Sequence, residues 1–162
     1  MKIKYYILIL LTILFSLFAI KKATAQIQFN QDEDKYVSIW TDPTLSDNGF
    51  QIGGTFTMEY KAVFAEYSIS HYNELNPSYT DIVVGYGLVL NVFKADLYIG
   101  GRLGFIYREK DNIAGLTGGM MRLQYPVTKR LYLGIQFWID ARTDLGNDFV
   151  RENGGFYVSF RL

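Results

Sequence analysis

From residue 36 onward, apolar and polar residues alternate nearly one by one. A period of two places successive side chains on opposite faces of a β-strand, whereas a helix would space its apolar residues by three and four. Turn chemistry cuts the alternation at Asp42-Pro43 through Asn48-Gly49, Tyr60-Lys61-Ala62, Asn73 through Ser78 with Pro77, Asn91 to Lys94, Glu109 to Asn112, Pro126 to Lys129, and Thr143 to Asn153. These seven dividers predict eight strands, at 36–41, 50–60, 62–72, 79–90, 95–108, 113–125, 130–142 and 153–162. All but the first reach the roughly 9–11 residues that a tilted strand needs to cross a bilayer. The dividers holding Lys61, Lys94 and Lys129 are short and alternate with longer polar ones, the pattern of tight turns at one end of a barrel and loops at the other.

The chain before residue 36 has a different texture. Lys2 and Lys4 form a charged start, an apolar run extends from Tyr5 to Ile20, and Ala23-Thr24-Ala25 precedes Gln26 with small residues at cleavage spacing. Residues 1–25 are therefore expected to be an export signal peptide. The basic pair Lys21-Lys22 leaves an uncut membrane anchor as the alternative, although the run is shorter than the ~20 residues of a spanning helix. Residues 26–35, with Asp32-Glu33-Asp34, form a polar N-terminal lead, and 36–162 the single β domain. Loss of 1–25 would remove four lysines and leave 12 basic against 16 acidic residues, a mildly acidic exported chain.

Composition narrows the chemistry. The chain holds no cysteine and one histidine, His71, which excludes disulfide scaffolds, thiolate metal sites, iron–sulfur clusters, thiol nucleophiles and His-pair metal centres. Neither a metal site nor a cofactor is expected. Sixteen basic residues balance sixteen acidic ones over the whole chain, and this leaves no electrostatic footprint for nucleic acid.

Alternation alone does not say which face is wet. One face carries Phe56, Met58, Val63, Tyr67, Ile69, Ile82, Val84, Leu88, Ile99, Leu103, Phe105, Met121, Leu123, Leu133, Ile135, Phe137, Phe156 and Phe160. The other carries Glu59, Glu66, Asp81, Arg102, Arg122, Asp140 and Arg161 among Gly85, Gly87, Gly100, Gly104, Gly118, Gly134 and Gly155. Lysines, common on a solvated strand face, fall after residue 25 only at segment ends and turns: Lys35, Lys61, Lys94, Lys110 and Lys129. The polar face is thus expected to be enclosed, its charges a lumen network neutralising one another where unpaired charge is costly and its glycines making room. Tyr60, Phe93, Tyr107 and Tyr125 at segment ends suit interfacial aromatic girdles against lipid. The fold class expected is all-β, an eight-stranded antiparallel up-and-down transmembrane β-barrel behind a signal peptide. A soluble periplasmic barrel with the apolar set lining a ligand cavity is the alternative.

On these features, residues 36–162 resemble the small eight-stranded outer-membrane barrels of Gram-negative bacteria, OmpA- or OmpX-like. The last segment, Gly155-Phe156-Tyr157-Val158-Ser159-Phe160-Arg161-Leu162, is similar to the C-terminal sorting signal of that class. The resemblance implies residence in the cell outer membrane, insertion by its assembly machinery, contact with outer-membrane lipid, and a non-enzymatic structural or surface-interaction role with partners met through the loops. An enzymatic alternative, lipid A acylation or deacylation, would centre on His71 with Ser70, Glu74, Ser78 or Asp81 nearby in sequence. The inner charges could also line an ion path. Structural pairing is the expectation, because an eight-stranded interior closes on its own side chains. The loop acids Asp42, Asp47, Glu74, Glu109, Asp111, Asp144, Asp148 and Glu152 match no calcium-loop spacing.

Overall fold

The structure, a computed structural model, describes residues 27–29, 33–42, 50–73, 78–108, 112–144 and 150–162. The proposed signal peptide and the acidic loop positions Asp47, Glu74, Glu109, Asp111 and Asp148 lie outside the described residues. Among the described residues nine strands follow one another: β1 (Ile27–Phe29), β2 (Lys35–Thr41), β3 (Phe50–Tyr60), β4 (Val63–Asn73), β5 (Tyr79–Val92), β6 (Ala95–Arg108), β7 (Asn112–Pro126), β8 (Leu131–Arg142) and β9 (Val150–Arg161). Strands β2 to β9 pair with their sequence neighbours, and β9 returns to β2 through Tyr36↔Arg161 to Thr41↔Phe156, closing an eight-stranded antiparallel barrel. Every backbone edge along the paired lengths is thereby satisfied, as crossing a bilayer requires.

The registers run without a bulge, and together they stagger the chain by ten residues per circuit. With ordinary strand spacings, eight strands and that stagger give a tilt of about 41° and a backbone radius of about 8 Å. A tube that narrow is filled by side chains.

Two of the three tight connections hold non-glycine residues in left-handed backbone. Lys61 has φ 55°, while Phe93 and Lys94 in the two-residue β5–β6 turn have φ 51° and 71°, positive at both central positions as a type I′ turn requires. The third connection is closed by Thr128, whose Oγ1 accepts from the backbone N–H groups of Arg130 and Leu131 at 3.2 and 3.0 Å.

The expected strand bounds hold at seven of sixteen ends and shift by one or two residues at eight, and two larger corrections are needed. The last strand starts at Val150 rather than at 153, because Val150 and Arg151 continue the ladder opposite Ala141 and Asp140; ladder pairing outweighs the turn-like composition there. The lead is also not wholly outside the sheet. The β5–β6 hairpin extends past the β3–β4 hairpin, since β4 begins at Val63 opposite Leu88. Ala62 accepts from the N–H of Val89, and β1 pairs with Leu90–Val92 along the edge that β4 leaves bare.

Burial is inverted relative to a water-soluble domain. Side chains at Ile39, Tyr67, Val84, Leu103, Phe105, Met121, Phe137, Ile139 and Phe160 are exposed on the outer surface. Glu59, Glu66, Asp81, Arg102, Arg122, Gln124, Gln136 and Asp140 are buried inside. The soluble alternative needs the reverse, with the apolar set lining the cavity.

The inner glycines divide into two groups. A Cβ at Gly53 would strike the Trp40 ring and one at Gly85 the Glu66 side chain, so these two do make room in the lumen. At Gly87, Gly100, Gly104, Gly118 and Gly134 a Cβ would instead strike the backbone of the adjoining strand. They permit close strand approach in a tightly coiled wall, which corrects the expectation that lumen crowding is their main reason.

Candidate functional site

Inward positions recur at every second residue of each strand, and the stagger stacks them in layers. Inside the barrel Trp40, Phe64, Val89, Tyr98, Met120, Trp138 and Tyr157 form one buried cluster, drawn from seven of the eight barrel strands. Trp40 meets Trp138 edge-on at 4.9 Å between ring centres, and Phe64 meets Tyr98 at 5.3 Å. The polar face of the sequence therefore also carries large aromatic rings in space, Trp40, Phe64, Tyr98, Trp138 and Tyr157 in this cluster alone. The signal was available: Tyr98 shares alternation phase with Gly100 and Arg102, and Tyr157 with Gly155 and Arg161.

Arg122 sits within this layer, its side chain 1% exposed. Its guanidinium carbon lies 4.4 Å from the Tyr98 ring centre and 4.3 Å from that of Tyr157. One terminal nitrogen donates to the Tyr157 hydroxyl and the other is ion-paired with Glu66. A flat cation between two ring faces, with a carboxylate at its edge, suits an arginine better than a lysine in a buried interior, and of its nitrogens Nε is left without a hydrogen bond. Tyr98 links this group to the next. Its hydroxyl donates to Glu59 and accepts from Gln124 Nε2 at 2.6 Å; Gln124 Oε1 accepts from Ser159 at 3.3 Å, and Ser159 meets Ser38 at 2.9 Å.

Toward the loop end the predicted charges form a second group. Arg102 and Asp140 are 3.2 Å apart, and the guanidinium of Arg102 lies 5.1 Å from the Trp138 ring centre. Asp81 accepts from Ser70, while Gln51 Nε2 donates to Ser70 at 2.8 Å and to Asp81 at 3.4 Å.

The two mouths join residues the sequence reading placed elsewhere, Asp144 in a loop and Asp34 in the lead, to ones it passed over, among them Arg108, Arg142, Tyr79 and Tyr132. At the loop end Asp144 is held by Arg142 (2.8 and 3.1 Å) and by Arg108 (2.8 Å). Burial by itself raises the Asp144 carboxyl, but the hydrogen bonds and charges of Arg142 and Arg108 outweigh it and hold the group below the ordinary aspartate value. Arg142 also donates to Tyr79 at 2.9 Å; Tyr79 stacks on Tyr72 at 5.0 Å, and Arg151 lies 4.4 Å over the Tyr72 ring. At the turn end Arg161 pairs with Asp34 at 2.6 Å, beneath an edge-on contact between Tyr36 and Tyr132 at 5.2 Å. Of the seven expected lumen charges, Glu66 with Arg122 and Arg102 with Asp140 form ion pairs together. Arg161 instead finds its carboxylate in the lead. Tyr60, Phe93 and Tyr125 are exposed near the turn end and Tyr107 near the loop end.

The wall separates His71 from two of the residues named beside it. The ring of His71 points outward and shares a hydrogen bond with Thr80 at 3.1 Å. Ser70 and Asp81 face the lumen, on the other side of the wall. Strand alternation keeps neighbours in sequence on opposite faces. Glu74 lies outside the described residues.

No family model matches the sequence, and no curated protein does. Solved structures are similar in fold. One is a de novo designed transmembrane β-barrel, at TM-score 0.55 and 17% identity, over 83% of this chain and 98% of that one. Another is the outer membrane protein Ail of Yersinia pestis in a phospholipid bilayer nanodisc, at TM-score 0.51 and 12% identity, over 81% of this chain and 100% of that one. The chain has the fold of a transmembrane β-barrel.

Proposed function

We propose that this is an exported, non-enzymatic outer-membrane barrel of the OmpA- or OmpX-like kind, inserted by the outer-membrane assembly machinery. It acts as a structural element or meets surface partners through its loops. The observation that carries the reading is the inverted burial on a closed barrel: an apolar belt outside, and inside an interior locked by aromatics and paired charges. Residues 1–25 are removed as a signal peptide, and the turns at Lys61, Lys94 and Lys129 face the periplasm with both mature termini, since eight strands return the chain to its starting side.

A lumen filled by a buried cluster of side chains from seven strands supports a scaffold rather than a channel. Water-filled pores belong to barrels of about twice this strand number. Single-channel recording in planar bilayers tests this directly: a silent wild type is expected, and stable stepwise conductance would make transport the function. Cysteine introduced at Asn76 or Asn147 should react with an impermeant reagent on intact cells while cysteine at Lys94 stays protected; the opposite pattern would reverse the topology.

A further inference from the structure

We propose that the ring of cations at the turn end is a binding surface for anionic phospholipid headgroups, a proposal that rests on the membrane-spanning reading above. Lys35, Lys61, Lys94, Lys129 and Arg130 are all exposed. They stand at the start of β2 and in the β3–β4, β5–β6 and β7–β8 connections, so about every second strand around the circumference contributes one. Among the described residues none of the five is ion-paired; the Lys61 ammonium lies 5.2 Å over the Tyr60 ring.

The acids at this end are arranged differently. Asp34 is buried against Arg161, Glu59 is buried and accepts from Tyr98, and Asp96 accepts from Asn91 on the inner side of the wall. Glu33 is the exposed exception. Charge is thus separated radially, negative around the mouth and positive around the rim, and lipid headgroups meet only the rim.

Backbone conformation points the same way. Lys61, Phe93 and Lys94 occupy left-handed backbone at φ 55°, 51° and 71°, where glycine or asparagine is the less costly choice. These turns retain two ammonium groups and an aromatic ring against the conformational preference, so the side chains are held for what they touch. Phe93 is 58% exposed and Tyr60 57%. A ring at the edge of the hydrocarbon with an ammonium beside it matches a phosphodiester at headgroup depth. The loop end instead carries eight acids in sequence, Asp42, Asp47, Glu74, Glu109, Asp111, Asp144, Asp148 and Glu152, against the four bases Arg108, Lys110, Arg142 and Arg151, with Asp144 already held by Arg108 and Arg142; the balance there is acidic, so the preference belongs to the leaflet at the turn end.

The test is to reconstitute the folded protein in phosphatidylcholine membranes and compare spin-labelled phosphatidylglycerol with spin-labelled phosphatidylcholine in the motionally restricted lipid population. At low ionic strength phosphatidylglycerol should be preferred by roughly threefold or more. The preference should vanish near ~1 M salt, where screening acts within about 3 Å. It should also be lost in Lys61→Gln/Lys94→Gln/Lys129→Gln/Arg130→Gln and kept in Lys110→Gln, between β6 and β7 at the opposite end. Equal association of the two lipids with the wild type at low salt, or a preference undiminished in the fourfold variant, would overturn the proposal. The salt titration needs no variant to fold. If neither probe shows a restricted population, the membrane-spanning reading falls and this proposal with it; restricted populations of equal size defeat the proposal alone.

Discussion

The two faces of the barrel wall are made by the same strands under opposite demands. On the lumen face a charged group is held by particular partners: Arg122 by Glu66, Tyr98 and Tyr157, and Asp144 by Arg142 and Arg108. On the outer face Ile135, Phe137, Ile139 and Leu133 stand exposed side by side, and what they share is only that they are apolar. The inner face should therefore be sensitive to the identity of a residue, the outer face to its polarity.

The largest effect should come from breaking the inner ion pair. Arg122→Met leaves Glu66 charged in a dry layer and should cost about 3–5 kcal/mol of folding stability in lipid vesicles, read from the urea midpoint. Adding Glu66→Gln should recover much of that loss. If the single variant unfolds at the wild-type midpoint, the pair is not what holds the layer together.

The outer face should answer with nearly the same magnitude, but only to a charge. Ile135→Arg, halfway along the outward row of β8, should cost about 2–4 kcal/mol, whereas Ile135→Leu should stay within about 1.5 kcal/mol. Equal midpoints for the two variants would remove Ile135 from the hydrocarbon.

A third variant probes the wall itself. Gly118→Ala places a methyl against the Ile139 carbonyl and the Asp140 backbone, and should destabilise by about 1–3 kcal/mol. The outward Gly119 has open space beyond ordinary contact with the Gly100 carbonyl, so Gly119→Ala should be close to neutral in the same denaturation series.

The smallest effect concerns the loop-end mouth, where solvent weakens the pairing. Asp144 is 10% exposed, and its carboxyl is depressed by Arg142 and Arg108 despite its burial. A depressed acid stabilises the fold fully above its unfolded value of about 3.9, and the contribution disappears as pH falls through the lower folded value. Asp144→Asn should cost about 1 kcal/mol at pH 7 and reduce the acid-side loss seen in the wild type. A stability difference that does not shrink in acid would detach Asp144 from its arginines.

The sequence by itself determined the number of barrel strands, the end at which the tight turns lie, and the face on which most residues point. All three follow from a period of two and from local turn chemistry, which no distant contact needs to supply. It also carried the inner placement of Glu66 and Arg122, since each shares the alternation phase of its strand's inward residues. Only the tertiary structure decided that these two meet. β4 and β7 are separated along the wall, and the reach across the lumen depends on the barrel's radius and stagger, which are sums over all eight registers. The same holds for Tyr98 and Tyr157 as the two plates around Arg122, for Asp34 as the partner of Arg161, and for Gly118 and Gly134 as points of strand contact. Strand β1 forms for a related reason: Ile27–Phe29 joins β5 where one hairpin outruns its neighbour, a vacancy that exists only once the hairpins stand side by side.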